Sequence, residues 1–131
     1  QDEAFTLADR VAVLADGRLL QVDTPEALWG RPASREVAEF LGYGPFLDAA
    51  DVAALGGPVV PEGMVAGLGP QGLVVDASGT VVDVRAEHSR RGYVEVTVAL
   101  PGGELAELRV PERLGTPRVA VRLDAVALVP A

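Results

Sequence analysis

From position 64 onward, short apolar runs of period two alternate with turn chemistry, and an antiparallel β structure satisfies both. The runs are MVAGL, GLVVD, TVVDVRAEH, YVEVTVAL, ELAELRV, RVAVRL and AVALV, separated by GPQG, DASG, SRRG, PGG and PERLGTP. Alternation puts Val82, Val84 and Ala86 on one face and Asp83, Arg85 and Glu87 on the other. Val94, Val96 and Val98 point away from Glu95 and Thr97, and Val119, Val121 and Leu123 oppose Arg122 and Asp124. Five or six of these runs, taken as strands, imply a small closed or nearly closed barrel, because closure removes exposed edges.

The first 42 residues have a different texture. Residues 2–9, DEAFTLAD, read as the end of a helix with Phe5, Leu7 and Ala8 apolar. VAVL at 11–14 is a continuous apolar run and reads as a buried strand. Asp16-Gly17 is the dipeptide suited to a tight turn, since glycine accepts positive φ, and residues 18–22 return as the hairpin partner. Thr24-Pro25 is a helix start, a hydroxyl N-cap followed by proline at the first helical position. That helix stops at Gly30. Ser34 reads as a second N-cap, Val37, Phe40 and Leu41 share one face, and Gly42 supplies the C-terminal stop. The chain therefore divides into a mixed α/β segment at 1–42, a Gly-, Pro-, Ala- and Asp-rich connection at 43–63 with one short helical turn near 48–55, and a β domain at 64–131.

Composition excludes several chemistries. Without cysteine there is no disulfide, thiolate metal site or cysteine nucleophile, and all 11 basic residues are arginine, so Schiff-base and phosphate-loop lysines are impossible. The formal net charge is −8, with acidic residues in excess on both sides of position 42, which opposes a phosphate-backbone partner. Residues 64–131 contain one aromatic, Tyr93, whereas single-strand nucleic acid binding needs several to stack on. No apolar run reaches the roughly 18–20 residues that a membrane span requires.

Residues 1–42 resemble the C-terminal end of the nucleotide-binding domain of importer-type ABC transporter ATPases. The resemblance is carried by Q-D-E-A-(x3)-A-D-R-V-A-V-L-(x2)-G, then Q-(x2)-T-P-E-A-L, Pro32 and V-A-E-F-L-G. In that family a Thr-His-Asp stretch, whose histidine contacts the ATP γ-phosphate, stands immediately before the residues matching Gln1 to Ala4; the resemblance thus implies a chain that starts just past this switch. Residues 64–131 resemble the accessory TOBE domain, an oligonucleotide-binding-type (OB-like) barrel, through G-T-V-V-D-V, a glycine turn, a valine-rich strand and V-A-V-R-L-D-A-V-A-L-V-P. The fold expected is mainly β with a small α/β N-terminal remnant: helix–hairpin–helix, then a barrel of five to six strands.

The resemblance implies a regulatory and interaction domain of the ATPase subunit of a solute importer. The full-length parent would use ATP and Mg, pair with a second copy as a homodimer, and meet membrane permease subunits. It would sit in the cytoplasm, peripheral on the inner face of the plasma membrane, without inserting. This stretch lacks a G-x-x-x-x-G-K-[ST] phosphate cradle, the family's signature loop and its apolar strand ending in Asp-Glu. No catalytic, cofactor or metal residue is therefore expected here, and the chain alone should neither bind nor hydrolyse ATP. The solute is not readable from these residues.

Few residues stand as candidate sites. Arg90-Arg91-Gly92 is a turn whose guanidiniums suit an oxyanion, or else a solvated turn. It carries the alternative reading, a barrel that binds molybdate or sulfate through Arg90, Arg91 and backbone amides. The resemblance makes Asp2 and Glu3 candidates for a subunit interface, while an acidic solvated face is an equal reading. His88, the one histidine, reads as a barrel-mouth or surface residue with only Glu87 beside it. Glu104, Glu107 and Glu112 read as a solvated acidic face, and Trp29 as packed on the hairpin. The apolar faces of 1–42, including Phe5, Val11, Val13, Leu14 and Phe40, are expected to dock on the barrel or on a second copy.

Overall fold

The computed structural model describes residues 2–131, and of Asp2 the backbone alone. The described residues are mainly β, in three antiparallel sheets with three short helices. The first sheet has the order β1-β2-β3, from β1 (Asp2–Leu7), β2 (Arg10–Ala15) and β3 (Arg18–Asp23). Strands β2 and β3 meet at Asp16-Gly17, both at positive φ (49° and 76°), the hairpin turn read from the sequence. Helix α1 (Pro25–Gly30) begins at Thr24, whose side chain accepts from the Ala27 N–H; α2 (Arg35–Phe40) begins at Ser34, which accepts from Val37. Val13, Leu28 and Val37 form a small core between sheet and helices, flanked by Val11, Leu20 and Leu41.

Residues 2–7 are a strand and not the end of a helix. Antiparallel pairing sets Phe5 against Ala12 and Leu7 against Arg10, so β1 satisfies its backbone on the free edge of β2. A six-residue segment with two apolar side chains cannot be told apart as helix or strand by periodicity, and the available edge decides.

The 43–63 segment adds more than a helical turn. Strand β4 (Phe46–Leu47) pairs with β5 (Met64–Leu68), which pairs with β10 (Val126–Pro130). Helix α3 (Ala49–Ala54) follows, its first turn capped by Asp48 Oδ1 accepting from the Asp51 N–H. The third sheet has the order β8-β7-β6-β9, from β6 (Leu73–Arg90), β7 (Tyr93–Ala99), β8 (Leu105–Val110) and β9 (Arg118–Leu123). The second and third sheets enclose one core that includes Leu47, Val52, Leu55, Leu73, Val96, Val98, Leu108 and Val121.

Two bulges in β6 revise the sequence reading. GLVVD and TVVDVRAEH are one strand of 18 residues, and DASG is a kink within it. Asp76 Oδ1 accepts from the N–H and hydroxyl of Ser78, so this polar stretch closes on itself while Val75 and Thr80 both register against Val121. The second bulge lies between Val84 and Ala86: Val84 registers with Val98, but Ala86 registers with Thr97 and Glu87 with Val96. Opposed residues of an antiparallel pair share a face, so Glu87 turns to the core side and Ala86 leaves it. A one-residue insertion inverts the parity beyond it, which an unbroken alternation cannot anticipate.

Candidate functional site

The residues singled out in the sequence do not converge on one site. Arg90 Nη2 lies 3.0 Å from Glu95 Oε1, so its charge is already engaged across the β6–β7 hairpin, while Arg91 stands exposed at the turn. His88 is exposed and registers with Glu95. Glu107 and Glu112 are exposed, but Glu104 is half-buried. Glu3 is exposed on β1 opposite Leu14; the Asp2 side chain lies outside the described residues. Trp29, read as packed on the hairpin, is 48% exposed. Its ring meets that of Tyr43 at 6.5 Å, and the Tyr43 hydroxyl donates to the Trp29 carbonyl.

Two carboxyl groups outside the candidate sites are held by parts of the chain distant in sequence. Glu87, swung inward by the bulge, accepts from the N–H of Leu114 at 2.7 Å and of Gly115 at 3.0 Å. These hydrogen bonds, that from Leu114 foremost, hold its carboxyl below the usual range and tie down the 111–117 loop. Asp51 is buried at 9% exposure. Burial first, and then the neighbouring acids Glu104 and Asp48, push its carboxyl from 3.8 up to about 6. Its sequence signal was a second acid three residues into a helix capped by Asp48, which also reads as ordinary first-turn chemistry.

A cleft of about 420 Å³ lies between the 42–45 and 68–71 turns and strand β8. Gly42, Gly44, Leu68 and Pro70 line one side, Leu105, Glu107 and Arg109 the other. It marks the place where β8, an edge strand, is not joined to the second sheet. Its two Gly- and Pro-containing walls are turns, so no helix start points into it. Arg109 is stacked over the Tyr93 ring at 4.4 Å, which orients its guanidinium along the sheet.

Each of the three helices carries an acid in its first turn, Glu26, Glu36 and Asp51, where an anion would be repelled. The Gly69-Pro70-Gln71-Gly72 loop leads into strand β6, not into a helix. Among the described residues no group of three His, Cys, Asp or Glu side chains is placed to hold a metal ion, and no helix is long and apolar enough to cross a membrane.

The first sheet has an uncovered apolar face. Val11 and Val13 point to α1 and α2. By register, Phe5, Ala12 and Val22 share the other side with Leu7, Leu14 and Leu19. Phe5, Leu7 and Leu19 are 48%, 54% and 61% exposed. The expected docking of 1–42 on the β domain is seen at α2, which meets β10 and whose Arg35 stacks 4.4 Å over the Phe46 ring.

No protein-family model matches the chain. Among curated proteins it is 36% identical, over 99% of its length, to an uncharacterised ABC transporter ATP-binding protein of Sinorhizobium fredii, of which it spans 37%. It is 38% identical over 78% of its length to a spermidine/putrescine import ATP-binding protein of Ruegeria pomeroyi, spanning 28% of that protein. A molybdate/tungstate import ATP-binding protein of Thermococcus kodakarensis is 37% identical over 69% of the chain, which spans 22% of it. The chain thus spans about a third or less of each.

Proposed function

Homologues of this chain are ABC importer ATP-binding proteins, consistent with a C-terminal portion of such a protein; from that premise we propose that the chain is the regulatory and interaction module of an importer's ATPase subunit. The observation that carries this reading is a resemblance extending over 99% of the chain, β domain included. The whole subunit would bind and hydrolyse ATP with Mg, pair with a second copy and act beneath membrane permease subunits. The 131 residues themselves would do none of the phosphate chemistry. Their lysine-free sequence and the acids in all three helix first turns support that division of labour.

The module's part would be contact. The face bearing Phe5, Leu7 and Leu19 has the apolar character of a surface that another part of the subunit covers, and the β domain would supply the surface for subunit pairing. The named relatives import solutes as unlike as a polyamine and an oxyanion, so the solute would be chosen elsewhere in the transporter. Calorimetric titration of the purified chain with MgATP, alongside a phosphate-release assay, tests the proposal. No binding heat and no turnover are expected; nucleotide hydrolysis by the 131-residue chain would overturn it.

A further inference from the structure

Helix α3 carries a buried carboxyl onto the turn between β7 and β8. Asp51 fits so closely there that a Cβ added to Gly102 would lie 2.0 Å from its Oδ1 and 2.6 Å from its Cγ. Only a residue without a side chain lets the turn approach this far. Two positions further on, Glu104 brings its carboxyl within hydrogen-bond reach of Asp51. Glu104 Oε1 is nonetheless buried with no hydrogen-bond partner. Two ionised carboxylates in such contact would repel, and the buried Glu104 Oε1 would still lack a donor.

A single proton removes both difficulties. We propose that Asp51 and Glu104 share one proton, and that their carboxyl–carboxylate hydrogen bond is an acid-strengthened clasp holding α3, and with it the 43–63 segment, on the β domain. The protonated Asp51 oxygen donates, and the otherwise orphaned Glu104 oxygen accepts. The charged groups facing Asp51 are Glu104 across the turn and Asp48 at the start of its own helix, both acids, so neither stabilises an ionised Asp51. The folded chain therefore holds this proton to a higher pH than the unfolded chain does. The clasp is complete below the ordinary aspartate value of 3.8 and is released as pH rises through about 6.

The test is a carbon-detected NMR titration of the aspartate side chains in the intact chain between pH 3 and 8. Asp51 should titrate near pH 6, and Glu104→Gln, whose amide can donate to an ionised Asp51, should bring its midpoint down toward 3.8. Asp51→Asn supplies a permanent donor to Glu104. It should abolish the loss of α3 amide protection, read at the Val52 and Leu55 N–H groups, that is expected of the unaltered chain between pH 5 and 7. An Asp51 midpoint in the ordinary aspartate range, or one that Glu104→Gln leaves in place, would overturn the proposal. Both of those readouts stand even if Asp51→Asn does not fold.

Discussion

Truncating Leu47 tests whether the 43–63 segment is a connection or a part of the β domain. Leu47 is fully buried in the two-residue strand β4, within the core shared by the second and third sheets. Leu47→Ala removes three carbons, a transfer loss of about 2.4 kcal/mol at about 0.8 kcal/mol each. A residual void of roughly 40 Å³ adds about 1 kcal/mol at about 24 cal/mol per Å³. The sum, about 3.4 kcal/mol, falls within the range of roughly 2–5 kcal/mol seen for buried leucines. In urea unfolding followed by circular dichroism, with a slope of about 2 kcal/mol per molar, the midpoint should drop by about 1.7 M at unchanged slope. Leu19→Ala is the control: at 61% exposure on the uncovered sheet face, it should change stability by less than about 0.5 kcal/mol. If Leu47→Ala costs under about 1 kcal/mol and cannot be separated from the control, the segment is a tether and the reasoning fails.

Two further outcomes follow from the bulges in β6. Gly79→Ala places a Cβ 2.2 Å from the Val121 carbonyl oxygen, a backbone atom that cannot rotate away. It should destabilise the chain by about 1–3 kcal/mol, the usual cost of overpacking, as a lowered thermal midpoint; an unchanged midpoint would show that the kink is free to shift. Glu87, whose folded carboxyl lies below its ordinary value of 4.5, contributes at neutral pH a tie that is lost as pH falls through that lowered value. Glu87→Ala should therefore speed amide exchange at Leu114 and Gly115 at pH 7 and erase the acid-induced speeding of the unaltered chain; unaltered exchange would remove Glu87 from the loop's support.

Local chemistry was readable where the chain stops and starts. Thr24-Pro25, Ser34, Asp16-Gly17 and Gly42 mark helix and turn ends because capping and positive φ are satisfied by near neighbours alone, and the structure places them as read. The mainly β character was readable for the same reason, since alternation is a property of consecutive residues. The candidate sites were not. Arg90 is engaged by Glu95 from the neighbouring strand, Asp51 by Glu104 from 53 positions on, and Glu87 by amides 27 and 28 residues away.

Sequence by itself thus determined the family resemblance, the turn and cap positions, and the absence of lysine and cysteine chemistry. Tertiary structure decided that residues 2–7 form a strand, that DASG is a kink within β6, that Glu87 faces inward, and that Leu47, Val52 and Leu55 belong to the larger core. The physical reason is one of range. Caps and turns are settled within about four residues. Edge pairing, bulge parity and the protonation of a buried acid depend on which distant backbone or carboxyl the fold brings alongside.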